Sequence, residues 1–412
     1  MGTGRELNGK VARHRIVILG GSYAGLTAMS RLARLGLDAE VVVIDQRPQW
    51  SERIRLHELA VGGTALQIDI ADFAASLGAR FIQARITSLD PSARVVGLET
   101  AGAGSTRMSF DHCILALGSR VDDRAVKGDD HPDAPVVRLE SPAEAHLIHD
   151  VLAGRPQANV LIVGGGLTGV EAACEIADAF PGARVTLASG SAWRPAGPGG
   201  FNQAAIHHLV HTLKRLGVTL AASRVLDCRN GVATLADGSS IPYDVCVWTS
   251  GFAPNELAQA SGVAVTDRQQ VAVDHALRSV SHPHILAIGD LASTQTPASG
   301  PCRMGCATAL PMGAAAARTV AALMAGREPP SFEFDYLFRC VSLGRADGLI
   351  QFVDSCDRPK RFVWTGRKAA LWKDYICRTT LATIGISSMP APPAVPPLTM
   401  LLPLMRSWKQ YA

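Results

Sequence analysis

The 412-residue sequence predicts an α/β protein with two parallel-sheet domains and a smaller C-terminal region. Two observations carry this. Residues 15–45 run as a β-branched stretch and small-residue turn (RIVILGG), a segment with Leu, Ala and Met at helical intervals (SYAGLTAMSRLARLGLD) and a second β-branched stretch (AEVVVID). Residues 159–189 repeat that order as NVLIVGG, GLTGVEAACEIADAFPG and ARVTLAS. Short uninterrupted apolar runs are the mark of strands buried on both faces, and a glycine turn leading into a helix makes each a βαβ unit. Two such units predict two Rossmann-like dinucleotide-binding domains.

The remaining elements follow in order. Residues 85–120 alternate as antiparallel strands do and end in FDHCILALGS. Residues 218–251 do the same, with NG and DGS turn signals, and end in YDVCVWTSG. A short strand, HILAIGD, ends at Asp290, and an apolar helix is expected over 305–325. From Gly326 the composition turns to aromatic and basic strands. After Met389 comes PAPPAVPP, a stiff extended linker, and then LTMLLPLMRSWKQYA. These breaks set residues 14–121 and 256–325 as two parts of one dinucleotide domain, 122–255 as the second, and 326–412 as the C-terminal region.

Bulk composition narrows the function. Apolar residues make up 47% and charged residues 18%, which suits packed cores. The net charge of +4 is spread without a dense Lys/Arg run, so no nucleic-acid partner is expected. Nine cysteines at irregular spacing, with no Cys-x-x-Cys, fit a reducing cytoplasm better than a disulfide framework. The first fifteen residues lack an apolar stretch, so no secretory signal is expected. No uninterrupted apolar run reaches the roughly 20 residues of a spanning helix, which predicts a soluble or peripheral protein. No metal is expected, since no His/Cys cluster has zinc spacing and His207, His208 and His211 share one amphipathic helix.

The first turn is Gly20-Gly21-Ser22-Tyr23-Ala24-Gly25. Gly20 and Gly25 match the outer glycines of G-x-G-x-x-G, and Ser22 stands at the middle one. Gly20, Ser22, Ala24 and Gly25 are the candidates to face a pyrophosphate, together with the helix N-terminus and its positive dipole. Asp45 ends the next strand twenty residues after Gly25, where a carboxylate can accept hydrogen bonds from a ribose. The second turn, Gly164-Gly165-Gly166-Leu167-Thr168-Gly169, matches at Gly164, Gly166 and Gly169. Twenty residues after Gly169 stands Ser189, where an acid would repel a 2′-phosphate. Arg194 follows, either as a phosphate partner or as a cation on a solvated Gly/Pro-rich loop.

Two glycine turns, CILALGS, VCVWTSGFAPN and ILAIGDLA, in this order, resemble the pyridine nucleotide-disulfide reductase superfamily over about residues 14–325. Within it, VWTSGFAPN and the extended C-terminal region look most like type II NADH dehydrogenases and related NAD(P)H:quinone reductases. The resemblance implies glutathione-reductase-type domains, with FAD in the first unit and NADH or NADPH in the second. It implies that Gly118 of ALGS and Gly251 of TSG lie on crossover strands, and that Gly289 and Asp290 hold the flavin ribityl and pyrophosphate. It implies for Glu171 a place near the nicotinamide–flavin contact, positioning or handling protons; the competing reading is a first-turn Glu that complements the helix dipole.

Three departures from that pattern stand out. Residues 26–45 hold no Cys, so a dithiol relay after the first turn is excluded. Where the type II dehydrogenases carry a glutamine-bearing helix near the quinone, this chain has Cys306-Ala307-Thr308-Ala309-Leu310-Pro311. Where they have an apolar segment after the first acid, it has Ser51-Glu52-Arg53-Ile54-Arg55-Leu56-His57, placing Arg53 and His57 on one face beside a flavin or in solvent. Cys302 and Cys306 flank Arg303-Met304-Gly305, either as a redox pair one helical turn apart or as small packing residues.

Three functions follow as alternatives. One is an FAD-dependent NAD(P)H oxidoreductase with a small-molecule acceptor, a quinone or similar. Another is a flavoenzyme of a biosynthetic pathway acting on a specialised small molecule. The last is a nucleotide-binding redox sensor with negligible turnover. The tail from Leu398 to Met405, followed by Arg406, Trp408, Lys409 and Tyr411, reads either as a peripheral anchor on the cytoplasmic membrane face or as a packing segment, for instance in a homodimer.

Overall fold

The structure is a computed structural model that describes residues 14–102, 104–122, 133–190 and 199–390. Strand β1 (His14–Leu19), helix α1 (Tyr23–Arg34) and strand β2 (Ala39–Asp45) form the first βαβ unit. A short helix α2 (Leu56–Leu59), β3 (Arg80–Gln83) and β4 (His112–Leu115) follow. The sheet runs Ile285–Ala287, β4, β1, β2, β3, parallel throughout, so the chain returns after a long excursion to complete it. Ile16, Val17, Ile18 and Leu19 are all fully buried, as a strand covered on both faces requires.

Crossover strand β5 (Ser119–Val121) leads to β6 (Val136–Val137) and α3 (Pro142–Gly154). The second unit comprises β7 (Asn159–Val163), α4 (Leu167–Ala179), β8 (Arg184–Ala188), α5 (Gln203–Arg215), β9 (Thr219–Ala221) and β10 (Val245–Trp248). Its parallel sheet runs β6, β10, β7, β8, β9. The return crossover β11 (Phe252–Pro254) pairs antiparallel with β5, and β12 (Ile285–Ala287) rejoins the first sheet.

Helix α6 (Cys306–Met324) lies where the apolar helix is expected. It packs on α1 so closely that a Cβ at Gly313 would sit 2.5 Å from the Ala24 carbonyl oxygen. Among the described residues it is the one helix long and apolar enough to cross a membrane (19 residues, mean hydropathy 1.3), yet 72% of that window is buried within the protein. Its apolarity is that of a core helix. The C-terminal sheet, β13 (Phe338–Ser342), β14 (Gly348–Val353) and β15 (Pro359–Thr365), is antiparallel. Helix α7 (Arg367–Ile384) covers it, burying Trp372 against Trp364 and Tyr375. The aromatic, basic composition predicts strands there and gives no hint of this 18-residue helix.

Candidate functional site

At the first turn a Cβ on Gly25 would run into the Gly20 carbonyl, which is how the strand and helix pack so tightly. Ser22 is the N-cap of α1: its hydroxyl accepts from the Gly25 N–H at 3.4 Å and donates to the Ala116 carbonyl at 2.9 Å. The middle position therefore braces the turn. Ala24 is buried against α6, and its Cβ lies 3.4 Å from where a Gly289 Cβ would be. Asp45 accepts the Gly21 N–H (2.8 Å) and the Arg47 N–H (2.9 Å). Two of a carboxylate's roughly four acceptor sites are then used, leaving capacity for a ribose hydroxyl.

The second turn offers an open cradle. Gly169 packs against Gly164 as Gly25 does on Gly20, whereas a Cβ at Gly166 would meet nothing within 4 Å. Gly166 caps α4 without a side-chain hydrogen bond, and the first turn carries no acid. The N–H groups at the start of α4 have no intrahelical partner and can meet a pyrophosphate, so the residues present fit a dinucleotide. Ser189, half-buried at the end of β8, donates its N–H to the Ala221 carbonyl at 2.9 Å. Arg194 lies outside the described residues.

Between the two turns the crossovers meet. Gly118 and Gly251 both take positive φ, 65° and 79°, at the ends of β4 and β10. The Ser119 hydroxyl donates to Asp290 at 2.6 Å, and the other Asp290 oxygen accepts the Gly305 N–H at 2.7 Å. Gly289 has φ 67° just before it. Asp290 thus ties a crossover to the start of α6, placing Gly118, Gly289 and Asp290 together. Arg53 joins this cluster: it donates to the Ser119 carbonyl at 3.1 Å and pairs with Glu140 at 2.7 Å.

The shared cationic face expected of residues 53–57 is not formed. Residues 53–55 make a 3₁₀ turn before α2, and every cation meets a carboxylate. Arg55 pairs with Glu52, Glu58 and Asp374. His57 is 3% exposed, with Nδ1 3.8 Å from Glu171 and Nε2 3.9 Å from Glu58.

Glu171 is the fifth residue of α4, outside its first turn, and is buried; this corrects the dipole reading. It forms an ion pair with Lys373 of α7 and accepts the Ser342 N–H of β13 at 3.1 Å. Burial alone would raise the Glu171 pKa, but Lys373 and its other partners outweigh that and hold it low. Burial likewise opposes charge on Lys373, and the Glu171 carboxylate overcomes it and raises that pKa. Burial pushes the Cys306 and Cys340 thiols up to about 11 and Cys377 to about 12, and all three interact electrostatically with Lys373. Three neutral thiols and one ammonium therefore stand together at the head of α6. Tyr23 joins them from α1; its hydroxyl is buried, and burial raises its pKa far above the usual value.

Cys302 and Cys306 are free cysteines. Because α6 begins at Cys306, Cys302 lies on the extended segment before it, 3.6 Å from the Ser299 hydroxyl. The one-turn spacing that would make them face one another is not formed.

Sequence reasoning passed over Lys373. Its signal was available: Ala369, Lys373, Cys377, Thr380 and Ile384 fall at i, i+4, i+8, i+11 and i+15 on one face of α7, so the lysine sits in an otherwise uncharged register. His208, on the three-histidine helix, instead serves structure, bonding Asp347 at 3.0 Å. A groove of about 540 Å³ opens beside Glu52, Arg55, Glu58, Arg345 and Asp374. A second concavity of about 450 Å³, by Arg155 and Asp244, lies at the amino ends of β7 and β10, the wrong end for dinucleotide chemistry.

Residues 14–318 match the pyridine nucleotide-disulphide oxidoreductase family. Among curated relatives, an NADH dehydrogenase-like protein of Mycobacterium tuberculosis is 28% identical over 73% of this chain and 78% of its own length. A type II NADH:quinone oxidoreductase of Staphylococcus aureus is 25% identical over 90% of this chain and 96% of its own. Among solved structures, NDH2 from Plasmodium falciparum in complex with NADH superposes with a TM-score of 0.76 at 15% identity, covering 91% of this chain and 96% of that one.

Proposed function

The chain belongs to the pyridine nucleotide-disulphide oxidoreductase family, and from that premise we propose that it carries hydride from NADH or NADPH, by way of FAD, to a quinone-like acceptor. FAD and a nicotinamide dinucleotide are its cofactors, and it is an oxidoreductase. The observation that carries the choice of acceptor is the largely covered Glu171–Lys373 pair near the thiols of Cys306, Cys340 and Cys377. Neutral thiols around one ammonium suit a flat, largely apolar molecule whose oxygen gains negative charge as it is reduced. The Staphylococcus aureus relative is named for quinone reduction and supports the reading.

Bound FAD supplies a ring that takes up a hydride and passes on two electrons. The chain's own residues do the rest. Gly20, Ser22, Gly25 and Asp45 would hold the adenine-dinucleotide half of FAD, and Gly118, Gly289, Asp290 and Arg53 would border its ribityl arm. Gly164, Gly166 and Gly169 would hold the coenzyme pyrophosphate on the α4 N-terminus. Lys373 Nζ would hold and protonate the acceptor oxygen, and Glu171 keeps that amine charged until the acceptor arrives. Cys306 would stand beside Lys373 as a neutral thiol, with Cys302 on the extended segment before α6.

The second site is proposed to accept NADPH at least as readily as NADH, because Ser189 removes the acid that would repel a 2′-phosphate. A peripheral place on the cytoplasmic membrane face, through the tail after residue 397, belongs to the same reading; that tail lies outside the described residues. The specialised-acceptor alternative draws support from α6, whose first turns read Cys306-Ala307-Thr308-Ala309-Leu310-Pro311 and offer no glutamine.

A steady-state panel tests the proposal. With NADPH or NADH and a series of acceptors, menadione and short-chain ubiquinones should be reduced at rates far above oxygen. Turnover confined to one non-quinone compound would move the assignment to the specialised enzyme. A preference for NADH of about a hundredfold, or nearly 3 kcal/mol, would refute the inference from Ser189.

A further inference from the structure

We propose that His57 relays the solvent proton of quinone reduction from the charged surface groove to Glu171. This rests on the quinone reading above. The reaction NAD(P)H + H⁺ + quinone → NAD(P)⁺ + quinol takes one proton from solvent for each hydride. Glu171 is buried and the Lys373 side chain is only 12% exposed, so a proton lost from Lys373 is resupplied through the protein.

The geometry supplies one. Glu58 lines the groove of about 540 Å³ and is held by Arg55 and Arg345. His57, one residue before it, is buried between Glu58 on the Nε2 side (3.9 Å) and Glu171 on the Nδ1 side (3.8 Å). Nε2 has no hydrogen bond among the described residues, although buried polar atoms nearly always find one. Gaps of this length close to hydrogen-bond distance by a shift of about 1 Å, as resting catalytic contacts often must.

The charged groups facing the ring come from four places: Glu58 on α2, Glu171 on α4, Arg345 between β13 and β14, and Lys373 on α7. Burial is the largest influence and pushes the His57 pKa down to about 4, so the ring is neutral at physiological pH and keeps one lone pair. In the step, a proton from groove water beside Glu58 passes to Nε2, and the Nδ1 proton passes to Glu171 Oε2. The ring leaves the step neutral, in the other tautomer, and exchange with groove water resets it, one water proton going to Nδ1 as the Nε2 proton is given up, with no net proton moved. Glu171 then returns the proton to the Lys373 amine. His57 touches no substrate and is a positioning and relay residue.

The test compares the holoenzyme with His57→Gln and His57→Leu, using menadione, which needs protons, and ferricyanide, which takes electrons alone. The ratio of menadione to ferricyanide turnover should fall at least about 10-fold in both variants. The solvent deuterium isotope effect on menadione turnover should rise, and added imidazole should restore part of the ratio in His57→Gly. An unchanged ratio, or a wild-type ratio in His57→Gln, would overturn the relay. If the variants do not fold, ¹⁵N-histidine NMR of the wild-type protein still decides. His57 should be neutral at pH 7 with its proton on Nδ1, and an imidazolium there would overturn the step. A wild-type enzyme that reduces ferricyanide but no quinone would instead refute the parent reading.

Discussion

Burial of the His57 ring makes the stability of this protein depend on pH. His57 has its pKa lowered to about 4, first by burial and against the pull of Glu171. In the unfolded chain its pKa is near 6.5. Between those values the unfolded state binds a proton that the folded state refuses, so stability is complete above about pH 6.5 and declines as pH falls towards 4. At pH 5 the loss should be about 2 kcal/mol. Urea unfolding of wild type and His57→Gln at pH 7.5 and pH 5 measures it: the glutamine variant should gain on wild type by that amount at the lower pH. Equal sensitivity in both would show that the ring is not held neutral. Residues of this kind were only half legible. Gly20, Gly25, Gly164, Gly169 and Asp45 declare themselves through spacing within one βαβ unit. Lys373 meets Glu171 from 202 positions away, and no local pattern announces such a pair.

Among the elements, the contact of α1 with α6 is the most exacting. Gly313 lets α6 approach the Ala24 carbonyl and the Thr27 side chain, where a Cβ would lie at 2.5 and 2.9 Å. Gly313→Val should force the helices apart and cost roughly 2–3 kcal/mol through overpacking. It should also loosen the Ser22–Gly25 turn above, so that FAD is lost on gel filtration while the variant remains folded. A variant retaining FAD as wild type does, with an unchanged melting temperature, would contradict this packing account. The helices α1, α4 and α6 were readable because each follows a glycine turn or forms a long apolar run. Helix α7 was not: its aromatic Trp372 and Tyr375 resemble strand residues until the sheet beneath supplies the face they bury against. The residues 53–57 show the same limit, since partners distant in sequence, Glu140 and Asp374, neutralise what looks like a cationic stripe.

At the scale of the whole molecule, the chain crosses twice between its parallel sheets, with β5 and β11 paired as the hinge of the two crossings. That arrangement brings the first glycine turn, the second glycine turn and the C-terminal layer to one junction, where Glu171 meets both His57 and Lys373. Each sheet could be drawn from the sequence, because strand–turn–helix periodicity is local. The junction could not, because it is made by three layers whose contributions lie far apart along the chain. On the proposed function, electrons enter from a nicotinamide and leave to a quinone through one bound flavin. Anaerobic stopped-flow on the purified holoenzyme tests this most directly. Mixing with NADPH or NADH should bleach the visible flavin band in one fast phase, and a second mixing with menadione should restore it within a turnover time. A flavin that bleaches but fails to recover with any quinone, or that neither coenzyme reduces, would contradict the account.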